Sequence, residues 1–571
     1  VRSISIPPSL GRLLRQGPEP GVAWLMVVLA ALTLGPLGML FYGSLHTTRP
    51  GLPGGFNLDG YRAVLSLDNA QLLFETFRIA ATNTTISLAF ATVLAWLVAR
   101  TDVPGRRALE VLITFPIFIP PILTSTVWGM LANPSVGILN VAWQTLTGDA
   151  DPLLDIYSYA GVIWLMVQMS TAFLFMLLVD VFRAMDPSLE DASRLAGARP
   201  YQTFFRITLG MMLPALSSCF LLSLIRGMEA FEPALLYGSQ AGIRMLATQI
   251  YLSVTQEENP SYQYPTALSF TMIVLMFLLV LVQWRILKGR RFQTVTGKGY
   301  TPRTVVLGRW RWLAFLPCAF FVVCAVILPV LQLISGSFFE YFGIYRWDML
   351  TLEHYREVLT NPSIRRSFIN TLVLAVGGAV STMALGSVVA YATMRTRVRG
   401  RRLLEFLAWL PWMMPGMVMA VGFLWVFALL PPGIPLYGTI GAMLIADVAL
   451  CMPVSVRVMS SAYAQISGDL EECSRVAGAS WLQTQWHITL ALVWPSLSVG
   501  WLLVFFGILR EMSAAILLYS AGSETFSITL YRLWNDGRIE QVSVIGLFLL
   551  LLVVLMRWAH HRFLNRGVRP V

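Results

Sequence analysis

The chain alternates long apolar runs with short polar stretches. Residues 22–45, 79–99, 313–336 and 367–394 contain no Asp, Glu, Lys or Arg. A run of about 20 apolar residues is enough to cross a bilayer as a helix. The pattern predicts about twelve such spans. Six fall in the first half, near 22–45, 76–99, 109–132, 159–182, 207–229 and 264–286. Six fall in the second, near 313–336, 367–394, 403–430, 439–462, 488–510 and 539–558. Pro214 and Pro495 interrupt the fifth and eleventh, which are therefore the least firmly marked of the twelve.

Composition agrees with the pattern. Of 571 residues, 56% are hydrophobic and only 12% charged, against about 25% charged in soluble proteins. The chain reads as all-α and multi-pass, with the lipid bilayer as its first partner. The net charge of +11 does not point to nucleic acid, because the basic residues sit in short loops between apolar runs. Residues 100–107 hold Arg100, Arg106 and Arg107, and residues 395–402 hold five arginines. Residues 133–158 have no Lys or Arg but carry Asp149, Asp151 and Asp155. By the positive-inside rule the arginine-rich loops, and with them both termini, are expected on the cytoplasmic side. Arg2, Arg12 and Arg15 precede the first apolar run, which is longer than a usual signal segment and is read as an uncleaved span. The five cysteines have no metal-type spacing and read as small packing residues.

The chain repeats itself. LEDASRLAGARPYQTFFRITL begins at Leu189 and LEECSRVAGASWLQTQWHITL at Leu470. Over 189–216 and 470–497, fourteen of 28 positions are identical. ARTDVPGRRALE from Ala99 echoes MRTRVRGRRLLE from Met394, and GYRAVL from Gly60 echoes HYREVL from His354. Six spans per half give both halves the same orientation, related by an axis along the membrane normal. The expected division is a first half at 1–286, a basic linker at 287–312 and a second half at 313–571. Each repeated polar stretch reads as a helix, a glycine turn and a second helix leading into the next span. Ser188 with Asp191, and Asp469 with Glu472, have the spacing of reciprocal helix caps.

Polar loops drift more readily than spans, yet here the loop matches better than its flanks. EDASRLAGA and EECSRVAGA, each followed by Ile and a later Pro, resemble the EAA-loop signature of ABC importer permeases. The whole chain is similar to the fused, double-length permeases of the ferric-iron, binding-protein-dependent group. Phe231–Gly238 is similar to the segment such permeases carry after the first loop. Residues 510–519 look like its second-half equivalent, with Met512-Ser513 where Leu-Pro is usual.

The resemblance implies a type I ABC importer permease fold, with EAA loops at about 186–216 and 467–497. It implies a bacterial inner membrane location, a homodimer of cytoplasmic ABC ATPase subunits and an extracytoplasmic substrate-binding protein. The coupling residues it implies are Glu190, Asp191, Ala196, Gly197 and Ala198, with Glu471, Glu472, Ala477, Gly478 and Ala479. Glu190 and Glu471 are expected to meet basic residues of the ATPase. ATP and Mg belong to that partner, and this chain is expected to bind no cofactor and to be no enzyme. TVTGKGY around Lys298 lacks the first glycine and the Ser or Thr of a phosphate loop. The group suggests ferric iron as cargo; thiamine, polyamine and phosphonate permeases share the architecture. An ion-driven secondary transporter is the remote alternative.

Charges inside apolar runs are costly, about 2.5–3.5 kcal/mol near the bilayer centre on insertion scales, so they draw notice. Arg226, Glu229 and Glu232 follow the fifth span at i, i+3 and i+6, and share a face if the helix continues. Arg510 and Glu511 are their second-half counterparts, and symmetric packing brings the two clusters face to face. Asp447 and Arg457 interrupt the tenth span and lie too far apart on one helix to pair. Glu229, Glu232, Asp447 and Glu511 are the candidates for a substrate path or gate. No catalytic constellation and no metal-ligand set is visible in the sequence.

Overall fold

A computed structural model describes residues 20–186, 188–255, 261–287, 304–344, 346–396, 399–431 and 433–567. Most of the expected linker, Lys298 included, lies outside the described residues. Within them the architecture is helical, and the only β-pairing is a set of isolated bridges.

The first half contains α1 (Gly21–Leu45), α2 (Leu67–Arg100), α3 (Arg106–Phe118), α4 (Pro121–Leu131), α5 (Tyr159–Arg183), α6 (Tyr201–Met228) and α7 (Gln263–Gln283). The second half contains α8 (Gly308–Phe338), α9 (Pro362–Arg395), α10 (Arg401–Met413), α11 (Gly416–Ala428), α12 (Ile440–Gln465), α13 (Trp481–Leu509) and α14 (Ile539–His560). Ten of these are long and apolar enough to cross a membrane alone. The pairs α3/α4 and α10/α11 bring the number to twelve if each makes one crossing.

The fifth and eleventh spans form despite the prolines that interrupt them. Pro214 and Pro495 are absorbed inside continuous helices, each shortly after a π-helical turn at Phe204–Thr208 or Gln485–Thr489. The breaks fall in the third and ninth spans, bent by 102° and 112°. Each bend follows a 3-10 turn containing a proline and ends on another, Pro116 then Pro120-Pro121, and Pro411 then Pro415. Clustered prolines remove consecutive amide donors and force the preceding residue out of the helical region. One proline within a helix costs a single bond and is tolerated in a membrane span where neighbours re-satisfy the freed carbonyl.

The core of each half is a matching helix trio. Helix α2 runs along α5 and α6; α9 runs along α12 and α13. Small residues let these backbones approach. A Cβ on Gly386 of α9 would lie 2.0 Å from Ser455 Oγ of α12, so only glycine fits.

The leading helices are exchanged. Helix α1 packs on α10, α11 and α12 of the second half, besides its own α7. Val22, Leu25 and Leu29 share a buried cluster with Val389, Leu404, Leu407 and Met452. Helix α8 packs on α2, α3 and α4 of the first half, besides its own α14. Cys318, Phe321 and Val322 are buried with Leu94, Val98, Ile113 and Phe175. Trp425 of α11, fully buried, donates to Thr266 Oγ1 of α7 at 3.0 Å, and its ring lies where Gly43 of α1 leaves room. Each half thus lends a strap to the other.

Candidate functional site

The two repeated polar stretches fold alike. A short helix, Ser188–Leu195 or Asp469–Val476, ends at a glycine of positive φ, Gly197 at 84° or Gly478 at 87°. The amide of Ala198 then bonds the carbonyl of Ser193 (3.1 Å), as that of Ala479 bonds Ser474 (3.1 Å). This is a helix end closed through a left-handed residue. Ser193 and Thr203 share a hydroxyl–hydroxyl bond of 3.0 Å; Ser474 and Thr484 repeat it at 2.9 Å. The expected reciprocal caps at Ser188/Asp191 and Asp469/Glu472 do not form. Asp186 and Ser467 accept the first amides instead, from Ser188 and Asp469, because those two residues already lie inside their helices. A full capping box forms at the next helix of the second copy, Ser480 with Gln483.

The structure divides the coupling candidates into anchors and tips. Glu190 and Glu471 are buried, 4% and 8% exposed, and do not face outward to a partner's bases as the sequence suggests. Arg100, the last residue of α2, meets Glu190 at 2.7 Å and also bonds the Met185 carbonyl at 3.0 Å. Thr208 donates to the other Glu190 oxygen at 2.7 Å. In the second half, Arg395, the last residue of α9, stands 3.7 Å from Glu471 and bonds the Ile466 carbonyl at 2.6 Å. Thr489 and the Tyr391 hydroxyl complete that set at 3.5 and 3.3 Å. A carboxylate sunk this deep must be paired, and each half supplies its own arginine. Ala196, Gly197, Ala477, Gly478 and Glu472 are exposed, and Asp191, Ala198 and Ala479 are half-buried.

Sequence reasoning missed two pairs here. Leu195 and Val476 occupy equivalent positions at the helix tips, and both are 90% exposed. Arg100 and Arg395 were legible as partners only through the longer repeat, where both stand second in ARTDVPGRR and MRTRVRGRR.

The polar residues of the spans converge as the symmetry argument predicts. Glu511 lies within electrostatic reach of Glu229, Glu232 and Asp447. Helix α6 stops at Met228, so Glu229 caps it and Glu232 sits on the following turn, not on one continued helical face. Arg226 and Glu229 pair at 3.6 Å. Arg510 donates to the carbonyl of Ile117 at 2.5 Å, and the Arg226 guanidinium lies 5.2 Å from the ring centre of Trp412. Ile117 and Trp412 stand at matching positions in the 3-10 turns that begin the two bends. Arg457 is not part of this group; it lies over Trp409 at 5.7 Å. Among the described residues no three His, Cys, Asp or Glu side chains are placed to hold one metal ion together.

Residues 89–291 and 382–569 each match the family described as "Binding-protein-dependent transport system inner membrane component". The chain is 26% identical, over 85% of its own length and 69% of the relative's, to the "Ferric transport system permease protein FbpB" of Actinobacillus pleuropneumoniae. It is 23% identical, over 92% and 96%, to the "Fe(3+)-transport system permease protein FbpB 2" of Haemophilus influenzae. It is 27% identical, over 40% and 85%, to the "Spermidine/putrescine transport system permease protein PotC" of Escherichia coli. Among solved structures, a chain of a bacterial alginate ABC transporter in complex with a periplasmic protein aligns over 45% of this chain and 93% of its own, at 17% identity and a TM-score of 0.38.

Proposed function

We propose how this chain, which belongs to the family of binding-protein-dependent transport system inner membrane components, does its work: as the permease of an ATP-driven importer, hydrolysing nothing itself. The two glycine-turned knuckles are the parts that engage a pair of cytoplasmic ATPase subunits. One observation carries this reading. Two loops of one chain present the same exposed apolar tip, Leu195-Ala196-Gly197 and Val476-Ala477-Gly478, on the same internally anchored scaffold. Equivalent knobs on two pseudo-symmetric halves suit a two-fold partner with two equal sockets. Leucine and valine held out on a helix tip gain free energy when a socket takes them out of water.

In this reading Glu190 and Glu471 act at one remove. They fix each knuckle to the end of α2 or α9, so that movement of the knuckle is passed to the helix trio above it. ATPase closure would then rock the trios against one another, giving alternating access along the seam. The knuckles and both termini lie on the cytoplasmic face, and a binding protein delivers cargo to the opposite one.

The cargo we infer is ferric iron. The names of the long relatives support it, and the acidic seam is compatible with it. The spermidine/putrescine relative keeps a polyamine as the second reading, since a polyamine is also a cation. Thiamine shares that charge; a phosphonate does not.

The test is co-purification and uptake with a candidate ABC ATPase and binding protein from the same organism. Leu195→Asp with Val476→Asp is expected to insert normally, lose the ATPase on affinity purification and lose uptake at least tenfold. Retained ATPase and uptake in that double variant would remove the coupling role. Concentrative uptake by the purified chain alone in vesicles would favour the secondary-transporter alternative.

A further inference from the structure

The chain writes the loop before each bend twice, and the two copies have different neighbours. PGRRALE at 104–110 corresponds to RGRRLLE at 399–405. Each sets a glycine of positive φ before its helix, Gly105 at 70° and Gly400 at 95°, and two arginines after it. Beside Gly400 stands α1: a Cβ there would lie 2.0 Å from Met26 Cε. Beside Gly105 a Cβ would meet nothing within 4 Å. The room left on that side belongs to an open cleft of about 650 Å³, lined by Asp102, Arg106, Arg107 and Ala108 of the loop and by Thr304, just ahead of α8. Backbone bonds hold its walls together. The Val305 amide donates to the Arg100 carbonyl at 2.7 Å, and the Asp102 amide to the Val305 carbonyl at 3.3 Å.

The cleft lacks a counter-charge. Arg106 and Arg107 are exposed and make no ion pair or hydrogen bond among the described residues. Asp102, the carboxylate in the lining, already accepts from the Leu307 amide at 2.8 Å. Glu110, one turn further along α3, is taken by Arg183. The linker cannot supply the anion either, since residues 288–303 hold five Lys or Arg and no Asp or Glu. The place also has the marks of a membrane surface. Trp310 and Trp312, at the start of α8, are 70% and 59% exposed, and tryptophans of this kind collect at headgroup level. Leu316 and Phe320 are exposed on the same helical face as Trp312, so lipid chains can lie along that face. Arg309 and Arg311 are exposed beside them and add to the positive field.

We propose that this cleft binds the headgroup of an anionic phospholipid, and that the site is built in the first half alone. Guanidiniums match phosphate oxygens in charge and in forked geometry. Basic pockets at a membrane surface hold anionic headgroups in this way. In the second half the Met26 methyl takes the corresponding room. The wall of the cleft starts at Arg100, whose guanidinium holds Glu190, so an occupied cleft braces the foot of the first knuckle. The choice of the cytoplasmic leaflet rests on the orientation proposed above. Binding itself needs no ATPase, so this site and the importer reading can fail separately.

The probe is phosphatidylglycerol, titrated into the full chain in mild detergent and read by native mass spectrometry. Phosphatidylcholine and inorganic phosphate are the other arms. Phosphatidylglycerol is expected to bind several-fold more tightly than phosphatidylcholine, and inorganic phosphate is expected not to displace it. Arg106→Gln with Arg107→Gln is expected to weaken phosphatidylglycerol binding roughly tenfold. Ala108→Phe keeps every charge, fills part of the cleft and is expected to weaken it several-fold. Arg401→Gln with Arg402→Gln removes the same charge beside Met26 and is expected to leave it unchanged. Phosphatidylglycerol should also raise the unfolding temperature of the unaltered chain more than that of either cleft variant. Unchanged affinity in both cleft variants, or an equal loss in the Arg401 and Arg402 pair, would overturn the site, the latter by showing bulk surface charge at work. Equal binding of phosphatidylcholine, or displacement by inorganic phosphate at matched concentration, would overturn the anionic-lipid assignment.

Discussion

The two knuckles share a backbone but differ in how their anchor is sealed. In the first, Arg100 and Glu190 are almost wholly buried, 1% and 5% exposed at the side chain, and meet at 2.7 Å. In the second, Arg395 and Glu471 are 14% and 10% exposed and stand 3.7 Å apart. The neighbours explain the difference. Above the first anchor Trp96 and Phe204 pack edge to face at 5.0 Å. The equivalent positions in the second hold Tyr391 and Gln485, joined by a 3.0 Å hydrogen bond. An aromatic lid excludes water and makes the ion pair all or nothing. A hydroxyl–amide bridge spreads the carboxylate's bonds over several weaker partners. Duplication kept the charge pair and left its surroundings free to diverge, so the halves can differ in stiffness while offering equal tips to a partner.

That contrast can be broken by experiment. The largest effect is expected for Arg100→Met, which strands a buried carboxylate. Losing one member of a buried pair costs about 3–5 kcal/mol, enough to lower thermal stability and folded yield of the detergent-purified chain sharply. Arg395→Met should cost roughly 1–2 kcal/mol, because Tyr391 and Thr489 still serve Glu471. Equal losses would mean the two anchors are energetically alike after all. Gly197→Val and Gly478→Val come next. A β-branched residue at positive φ is strained by about 1–2 kcal/mol, although nothing within 4 Å of either position would clash with a Cβ. Both variants should insert and lose uptake to a similar degree, since the turn is the same in both halves; a one-sided result would show unequal coupling. Tyr391→Phe removes two hydrogen bonds and should cost on the order of 1 kcal/mol. Adding Gln485→Phe, which rebuilds the aromatic lid, should recover part of that loss. The smallest effect is expected for cleaving the chain at a protease site inserted between Leu287 and Thr304. The exchanged α1 and α8 should keep the halves together on size-exclusion chromatography, and separated halves would argue against the strap arrangement.

Much of this was legible in the sequence, for physical reasons. Charge-free runs mark spans because lipid tolerates little else. The glycine turns were readable because Gly197 and Gly478 recur inside the best-matched polar stretch of the two halves. The meeting of the Glu229 and Glu511 clusters followed from symmetry. What stayed hidden depended on distance in the chain or on competition between similar signals. Nothing in α1 marks which apolar neighbour it chooses, since leucine and valine faces are interchangeable as chemistry. The bends went unmarked because a lone proline and a proline cluster look alike until their spacing is weighed. The inward turn of Glu190 needed Arg100, ninety residues earlier, and the EAA resemblance drew attention outward instead.

The exchange of leading helices also sets the order in which the molecule can be assembled. About 350 residues separate Leu45 from Arg401. At a synthesis rate of about 5–20 residues per second, that is roughly 20–70 s of waiting. Until α10 and α11 emerge, α1 has only lipid, the insertion machinery or its own α7 against its face. Ribosome pauses, or a shortage of insertion chaperones, would therefore leave this helix orphaned first and offer quality-control proteases their earliest target.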